Sequence, residues 1–189
     1  MTLSEGFRVW FLVLYILNIL GFLVAAIRFR VHREAIEKQT GPLPSPGIVI
    51  PLGIPLLILL IRVGEIQAEW LPLRLIGLGL SLYNAVLVPW AMQTAGRYLV
   101  PGAAVFRDHT LITSGPFRFV RHPIYSAGLA LLLGAALGTL NWLLLVFWFV
   151  AVAGSSMAVR MEEGLLQSKF GPAYEAYAQQ TGRFIPRLR

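Results

Sequence analysis

Ser114-Gly-Pro-Phe-Arg-Phe-Val-Arg-His-Pro-Ile-Tyr125 is a short polar stretch set between long apolar runs. Beyond it the chain is apolar for most of Ser126 to Val159, and a second polar cluster, Arg160-Met-Glu-Glu163, follows. Gly115-Pro116 turns the chain. Pro123 suits the first turn of a helix, because its missing N–H would lie unpaired there in any case. The apolar residues divide at Asn141 into Ile124–Leu140 and Trp142–Val159, each close to the length a membrane span needs. The pattern reads as a tight helical hairpin that leaves both polar clusters on one membrane face.

The rest of the chain carries the same signature. Of 189 residues, 57% are hydrophobic and 13% charged, where a soluble domain carries about 25% charged residues. Val9–Ile27 reads as a retained first span rather than a cleaved leader: it exceeds a signal h-region, and basic residues follow it instead of a cleavage site. Asn18 is its one strongly polar interior residue, and Trp10 is expected near the outer interface. Gly41 to Gly47, with three prolines, reads as a turn. Gly47–Ile61 is a second span, expected to be kinked or partly buried at Pro51 and Pro55. Leu71–Met92 is a third, flanked by Trp70 and Trp90, with Arg74 expected to snorkel. Tyr83 and Asn84, near mid-membrane, are expected to pack against other helices rather than do chemistry, and Gly128, Gly134 and Gly138 to permit close helix approach. Past Val159, two short amphipathic helices are expected, with Pro172 in the first turn of the second.

Charge placement orders these spans. Thirteen of the sixteen Lys and Arg fall in residues 28–38, 93–121 and 160–189, leaving Arg8, Arg62 and Arg74 for the opposite side. Five spans put all three rich segments on one face, which the positive-inside rule assigns to the cytoplasm, with the N-terminus outside. The expected fold is therefore all-α: a multi-pass membrane bundle of about five spans with a cytoplasmic C-terminal helical region that binds a cofactor. Residues 1–95 form a three-span membrane region and 96–189 the chemical core. The net charge of +7 is assigned to loops facing anionic lipid, not to nucleic acid. The absence of cysteine excludes disulfides, thiolate catalysis and cysteine-ligated zinc. His32, His109 and His122 are too scattered to predict a metal site.

Arg121 and His122 fall at a helix N-terminus, where free N–H groups and the dipole favour an anion. Across the hairpin, Glu162 and Glu163 favour an ammonium group. A basic patch facing an acidic one suits a zwitterion, and Phe117, Tyr125, Tyr174 and Tyr177 offer aromatic walls for a flat base or a sulfonium. The plainer alternative is that Arg121 contacts lipid phosphate and His122 caps the helix. No Gly-x-Gly-x-x-Gly follows a strand, so a Rossmann nucleotide site is excluded.

Taken together, Leu111 to Tyr125, the hairpin, and Glu162-Glu163-x-x-Leu166-x-x-x-Phe170-Gly171-x-x-Tyr174-x-x-Tyr177 with Pro186 resemble the isoprenylcysteine carboxyl methyltransferase and phospholipid methyltransferase family. The resemblance covers residues 96–189. It implies an integral membrane enzyme that uses S-adenosylmethionine and methylates a lipophilic or prenylated substrate entering from the bilayer, first of all by carboxyl O-methylation of an isoprenylcysteine-like acceptor, with N-methylation of a phospholipid or other lipid amine as the alternative. By position it implies a cofactor site of His109, Thr110, Leu111, Ile112, Phe117, His122, Pro123, Ile124, Tyr125, Glu162, Tyr174 and Tyr177. Phe117 stands where the family usually has tyrosine. The family's substrate-positioning arginine has its nearest counterpart in Arg160, offset by about two residues. Catalytic roles are expected for Arg160, Arg121 and Glu163, with Arg160 or Arg121 orienting a carboxylate and Glu163 or His122 serving as base toward an amine. A prokaryotic inner membrane is the expected location. Two other classes fit parts of the pattern: an NADPH-dependent membrane sterol-type reductase and a non-enzymatic membrane scaffold.

Overall fold

A computed structural model describes residues 3–31, 36–40, 46–66, 68, 70–98 and 103–187. The segment around His32 and Arg33, the turn residues 41–45 and Glu69 lie outside these residues. Among the described residues there are six α-helices: α1 (Leu3–Val31), α2 (Pro46–Ile61), α3 (Leu71–Ala95), α4 (Pro123–Gly138), α5 (Trp142–Phe170) and α6 (Pro172–Gln180). By length and composition, α1, α3 and α5 are each able to cross a membrane, while α2 and α4 are apolar but have 16 residues apiece. Outside the helices, β1 (Ile36–Thr40) pairs antiparallel with β2 (Ala103–Phe106), Ile36 opposite Phe106 and Thr40 opposite Ala103. This ribbon joins the segments that leave α1 and α3.

The α3–α4 pair is the closest and most extensive contact. It is made by glycine. A Cβ on Gly77 would meet the carbonyl oxygen of Gly134 at 2.5 Å and the nitrogen of Gly138 at 2.6 Å, and one on Gly134 would meet Gly77 O at 2.8 Å. The backbones touch because neither helix carries side-chain atoms there. Gly128, expected to share this role, has no atom within 4 Å of its Cβ position and takes no part.

Polar residues within the apolar helices bond one another, as they must where water is scarce. Trp10 Nε1 donates to Ser81 Oγ at 2.8 Å, so this tryptophan is tied to α3. Asn18 Nδ2 donates to Asn84 Oδ1 at 3.1 Å, and Asn84 Nδ2 donates to Ala127 O at 2.9 Å. Asn84 thereby bridges α1, α3 and α4, a packing role. Arg74 does not snorkel. It is 3% exposed and donates to Gly138 O at 2.8 Å and Ala68 O at 3.0 Å. The carbonyls at the C-terminal end of α4 supply a closer partner than the interface does.

Asn141 closes the hairpin. Its side chain accepts from Leu144 N at 3.1 Å as the N-cap of α5 and donates to Val63 O at 2.9 Å, binding the turn to the α2–α3 connection. In α2, Pro55, Ile58 and Leu59 are buried, as expected around Pro55; the burial of Pro51 lies outside the described residues. The tail departs from expectation at one point. Instead of stopping near Val159, α5 runs unbroken for 29 residues to Phe170. Only Gly164 interrupts the helix formers in that stretch, and one glycine is tolerated. Gly171, at φ 51°, ends the helix, and Pro172 opens α6 as expected.

Gly134→Leu should force α3 and α4 apart and lower stability by at least about 3 kcal/mol, the upper end of overpacking costs. Gly79→Leu, on α3 two residues from Gly77 and with nothing within 4 Å of its Cβ position, should not. Thermal unfolding in detergent distinguishes them; equal melting temperatures would refute the glycine contact.

Candidate functional site

The polar stretch that opens the hairpin is shaped by its own turns. Gly115 sits at φ 57° over Thr94 of α3, and Gly115–Arg118 form a single 3-10 turn with Pro116 buried. The chain then runs alongside the C-terminal tail. Arg121 N donates to Gly182 O at 2.8 Å and His122 N to Arg183 O at 3.1 Å, so residues 120–122 and 182–183 pair in parallel. Gly182 is required here, because a Cβ would collide with the carbonyl of Ile185. Pro123 then starts α4, with His122 as its N-cap.

The anion expected at this helix start is present, and the chain supplies it. Glu163, on α5, accepts from Arg121 Nε at 3.0 Å, from Arg183 Nη2 at 2.5 Å and lies 3.4 Å from His122 Nε2. Arg121 Nη1 also donates to the carbonyls of Ala178, at 2.8 Å, and Thr181 at the C-terminal end of α6. Burial alone would raise the Glu163 carboxyl, but hydrogen bonds from His122, Arg183 and Arg121 outweigh it and hold the group at about 2. Beyond Val159 the helix has left its apolar part, so this network lies where α5 emerges. Arg121 and Glu163, both expected in catalytic roles, are thus engaged with each other and with the tail.

Glu162 differs. Its side chain is 32% exposed, and its recorded partner is His122 Nδ1 at 3.7 Å. Burial raises its carboxyl and the charge of Glu163 adds to this, with His122 opposing. Aromatic groups stand around the pair. Tyr125 lies 5.9 Å from the His122 ring and 6.4 Å from Phe184. Tyr174 is 4% exposed, packs edge-on to Tyr177 at 6.1 Å, and its hydroxyl has no hydrogen-bond partner. Burial, then the nearby Glu163, raises that phenol. Tyr177 donates to the carbonyl of Phe117 at 2.6 Å, tying α6 to the 3-10 turn.

The structure therefore brings His122, Pro123, Tyr125, Glu162, Tyr174, Tyr177 and the Phe117 backbone into one neighbourhood, with Ile124 half-buried beside them. His109 lies about 12 Å farther along α5, at 1.5 Å per residue, stacked on Tyr98 at 4.6 Å and edge-on to Phe170 at 5.5 Å. Burial, then the adjacent Lys169, lowers its imidazole. Thr110 is exposed, and Leu111 and Ile112 are half-buried. Arg160 is exposed and takes no part in the network just described. Sequence reasoning did not single out Thr181, Gly182, Arg183 and Phe184. A glycine beside an arginine in a polar tail was the available signal, and a weak one.

The family described as phospholipid methyltransferase matches residues 73–173, from α3 to the start of α6. The chain is 36% identical over 114 residues to a cobalt-zinc-cadmium resistance protein of Cupriavidus metallidurans, covering 59% of this chain and 47% of that protein. It is 32% identical over 125 residues to a probable protein-S-isoprenylcysteine O-methyltransferase of Oryza sativa, covering 65% of each. The chain thus spans between about half and two thirds of the length of these relatives. Its fold is similar to that of a eukaryotic intramembrane isoprenylcysteine carboxyl methyltransferase, with a TM-score of 0.59 and 25% identity, covering 75% of this chain and 53% of that one.

A carboxyl held near 2 in the fold and near its ordinary 4.5 when unfolded stabilises the protein above the higher value. That contribution is lost as pH falls toward the lower. Wild-type melting temperature should therefore drop between about pH 5 and pH 2. Glu163→Gln should lose roughly 3 kcal/mol at pH 7, because three donors keep only a neutral partner, and the gap to wild type should narrow on acidification. A constant gap would refute this account.

Proposed function

Because the chain belongs to the phospholipid methyltransferase family, we propose that it is an integral membrane methyltransferase that uses S-adenosylmethionine and acts on a lipophilic acceptor. The observation that carries this reading is the convergence of His122 and Glu162 across the hairpin, with a carboxylate left largely unmatched. The residues suit the cofactor. Glu162 offers a negative charge to an ammonium, the Tyr174 hydroxyl is a buried polar group without a partner, and Tyr125 and Phe184 are aromatic walls fit for a sulfonium. S-adenosylmethionine, when bound, supplies an activated methyl group. His109, Thr110, Leu111, Ile112, Phe117, His122, Pro123, Ile124, Tyr125, Glu162, Tyr174 and Tyr177 are the proposed cofactor residues.

Within residues 96–189, the proposed chemical core, this chain's own groups divide the work. Arg121 and Glu163 hold α5, α4 and the tail in register, and their contribution to transfer is orientation. A carboxyl group held near 2 is a poor base, so toward an amine acceptor His122 is the favoured base, its Nδ1 facing Glu162. Toward a carboxylate acceptor, Arg160 is the exposed cation on the same helix. The engagement of Arg121 and Arg183 with Glu163 favours the amine over the isoprenylcysteine-like carboxylate. Five crossings, with the N-terminus outside and the C-terminus in the cytoplasm of a prokaryotic inner membrane, fit the charge pattern.

Calorimetry on detergent-purified protein should record S-adenosylmethionine binding, weakened at least tenfold by Glu162→Gln and by His122→Ala, on the order of 1.4 kcal/mol. Wild-type affinity in both variants would overturn the site. Binding of NADPH in place of S-adenosylmethionine would favour a reductase, and binding of neither a scaffold. Labelled cofactor with a lipid extract, then identification of the labelled product, separates amine from carboxyl acceptors.

A further inference from the structure

Tyr83 lies in the apolar stretch of α3 and is 39% exposed. A phenol there needs a partner for its hydroxyl. It finds Ser126 Oγ at 2.9 Å. Ser126, itself buried, donates to Phe184 O in the tail at 2.6 Å. Ser126 has one proton and the carbonyl can only accept. Tyr83 is therefore the donor to Ser126, and the Tyr83 oxygen keeps the capacity to accept a further hydrogen bond. Ser126 stands one turn past His122, and its N–H donates to His122 O at 3.0 Å. Three oxygen atoms thus connect the lipid-facing flank of α3 to the tail beside His122.

The depth of this connection follows from helix lengths. With 16 residues, α4 is about 24 Å long, short of the ~30 Å hydrocarbon core. Its outer half is fixed against Gly77, so its first turn, carrying Tyr125 and Ser126, stops within the span of α3, which runs on to Ala95. Trp90, two turns beyond Tyr83 on the same face, is 41% exposed and lies 6.3 Å from the Phe119 ring. Tyr83 is the polar group on this face below that aromatic pair.

We propose that Tyr83 is a specificity-determining residue for the acceptor: its hydroxyl oxygen accepts a hydrogen bond from an N–H in the head of a lipid that arrives sideways along α3. This rests on the methyltransferase reading and adds to it the residue that reads the acceptor. A headgroup without an N–H gains nothing from this oxygen.

Binding of dihexanoylphosphatidylethanolamine and dihexanoylphosphatidylcholine to detergent-purified protein tests the proposal without turnover. The two share phosphate and net charge, and the choline lacks an N–H. Wild type should bind the ethanolamine lipid at least fivefold more tightly, and Tyr83→Phe should bind both alike. Ser156→Ala, which removes a hydroxyl bonded within its own helix to Val152 O, should keep the wild-type preference. Under turnover, Tyr83→Phe should raise KM for the ethanolamine lipid at least fivefold with kcat within twofold. A wild type with no preference, or a Tyr83→Phe that retains it, overturns the proposal. A wild type that keeps the preference but binds no S-adenosylmethionine overturns the methyltransferase reading instead.

Discussion

The Glu163 carboxylate joins three parts of the chain that are far apart in sequence. Arg121 reaches it from the start of α4, Arg183 from the tail, and His122 from the N-cap between them. A carboxylate at a membrane exit, 13% exposed, would be costly alone, and two guanidinium groups and an imidazole offset that cost. The same arginine satisfies carbonyls at the end of α6. The last α-helix, the tail and the hairpin therefore take their relative positions from one charge cluster. Phe184 stands beside Tyr125, and Tyr177 beneath Phe117, because the tail is held there.

A second constraint sets the height of the cluster. Gly77 and Gly134 bring α3 and α4 into backbone contact, while Arg74 caps the far end of α4 through Gly138 O. Asn84 fixes the other half through Ala127 O. With both halves pinned to α3, the short α4 cannot slide along it, and its first turn stays level with Tyr83.

Much of this was legible in the sequence, and the part that was not has a physical reason. Apolar run lengths and Pro123 located the hairpin, because helix period and membrane thickness act locally. Basic-residue counts put the polar clusters together, because charge placement acts on the whole chain. What escaped was pairing. In the sequence Arg121 and Glu163 have the look of groups facing a ligand, whereas in the fold they bond each other, and no spacing rule says which of two adjacent glutamates will meet an arginine forty residues away. Arg74 was read as snorkelling because its position in α3 is near the end; the carbonyl it finds belongs to α4 and is invisible in its own helix. The continuity of α5 to Phe170 was masked by the change from apolar to polar at Val159, which is a change of composition and not a helix boundary.

Glu162 and Glu163 are neighbours, and on a helix neighbours point about 100° apart. That angle divides their roles. Glu163 turns toward Arg121, Arg183 and His122 and is held ionised well below the ordinary carboxyl range. Glu162 turns away from both arginines, keeps one imidazole at 3.7 Å, and is pushed upward by burial and by its neighbour's charge. The cations are thus distributed unevenly: one carboxylate has several donors and the adjacent one has almost none. A positively charged ligand beside Glu162 relieves that imbalance, whereas an anion would add to it. The proposed preference for a cation beside Glu162 thus rests on where the two arginines are already committed.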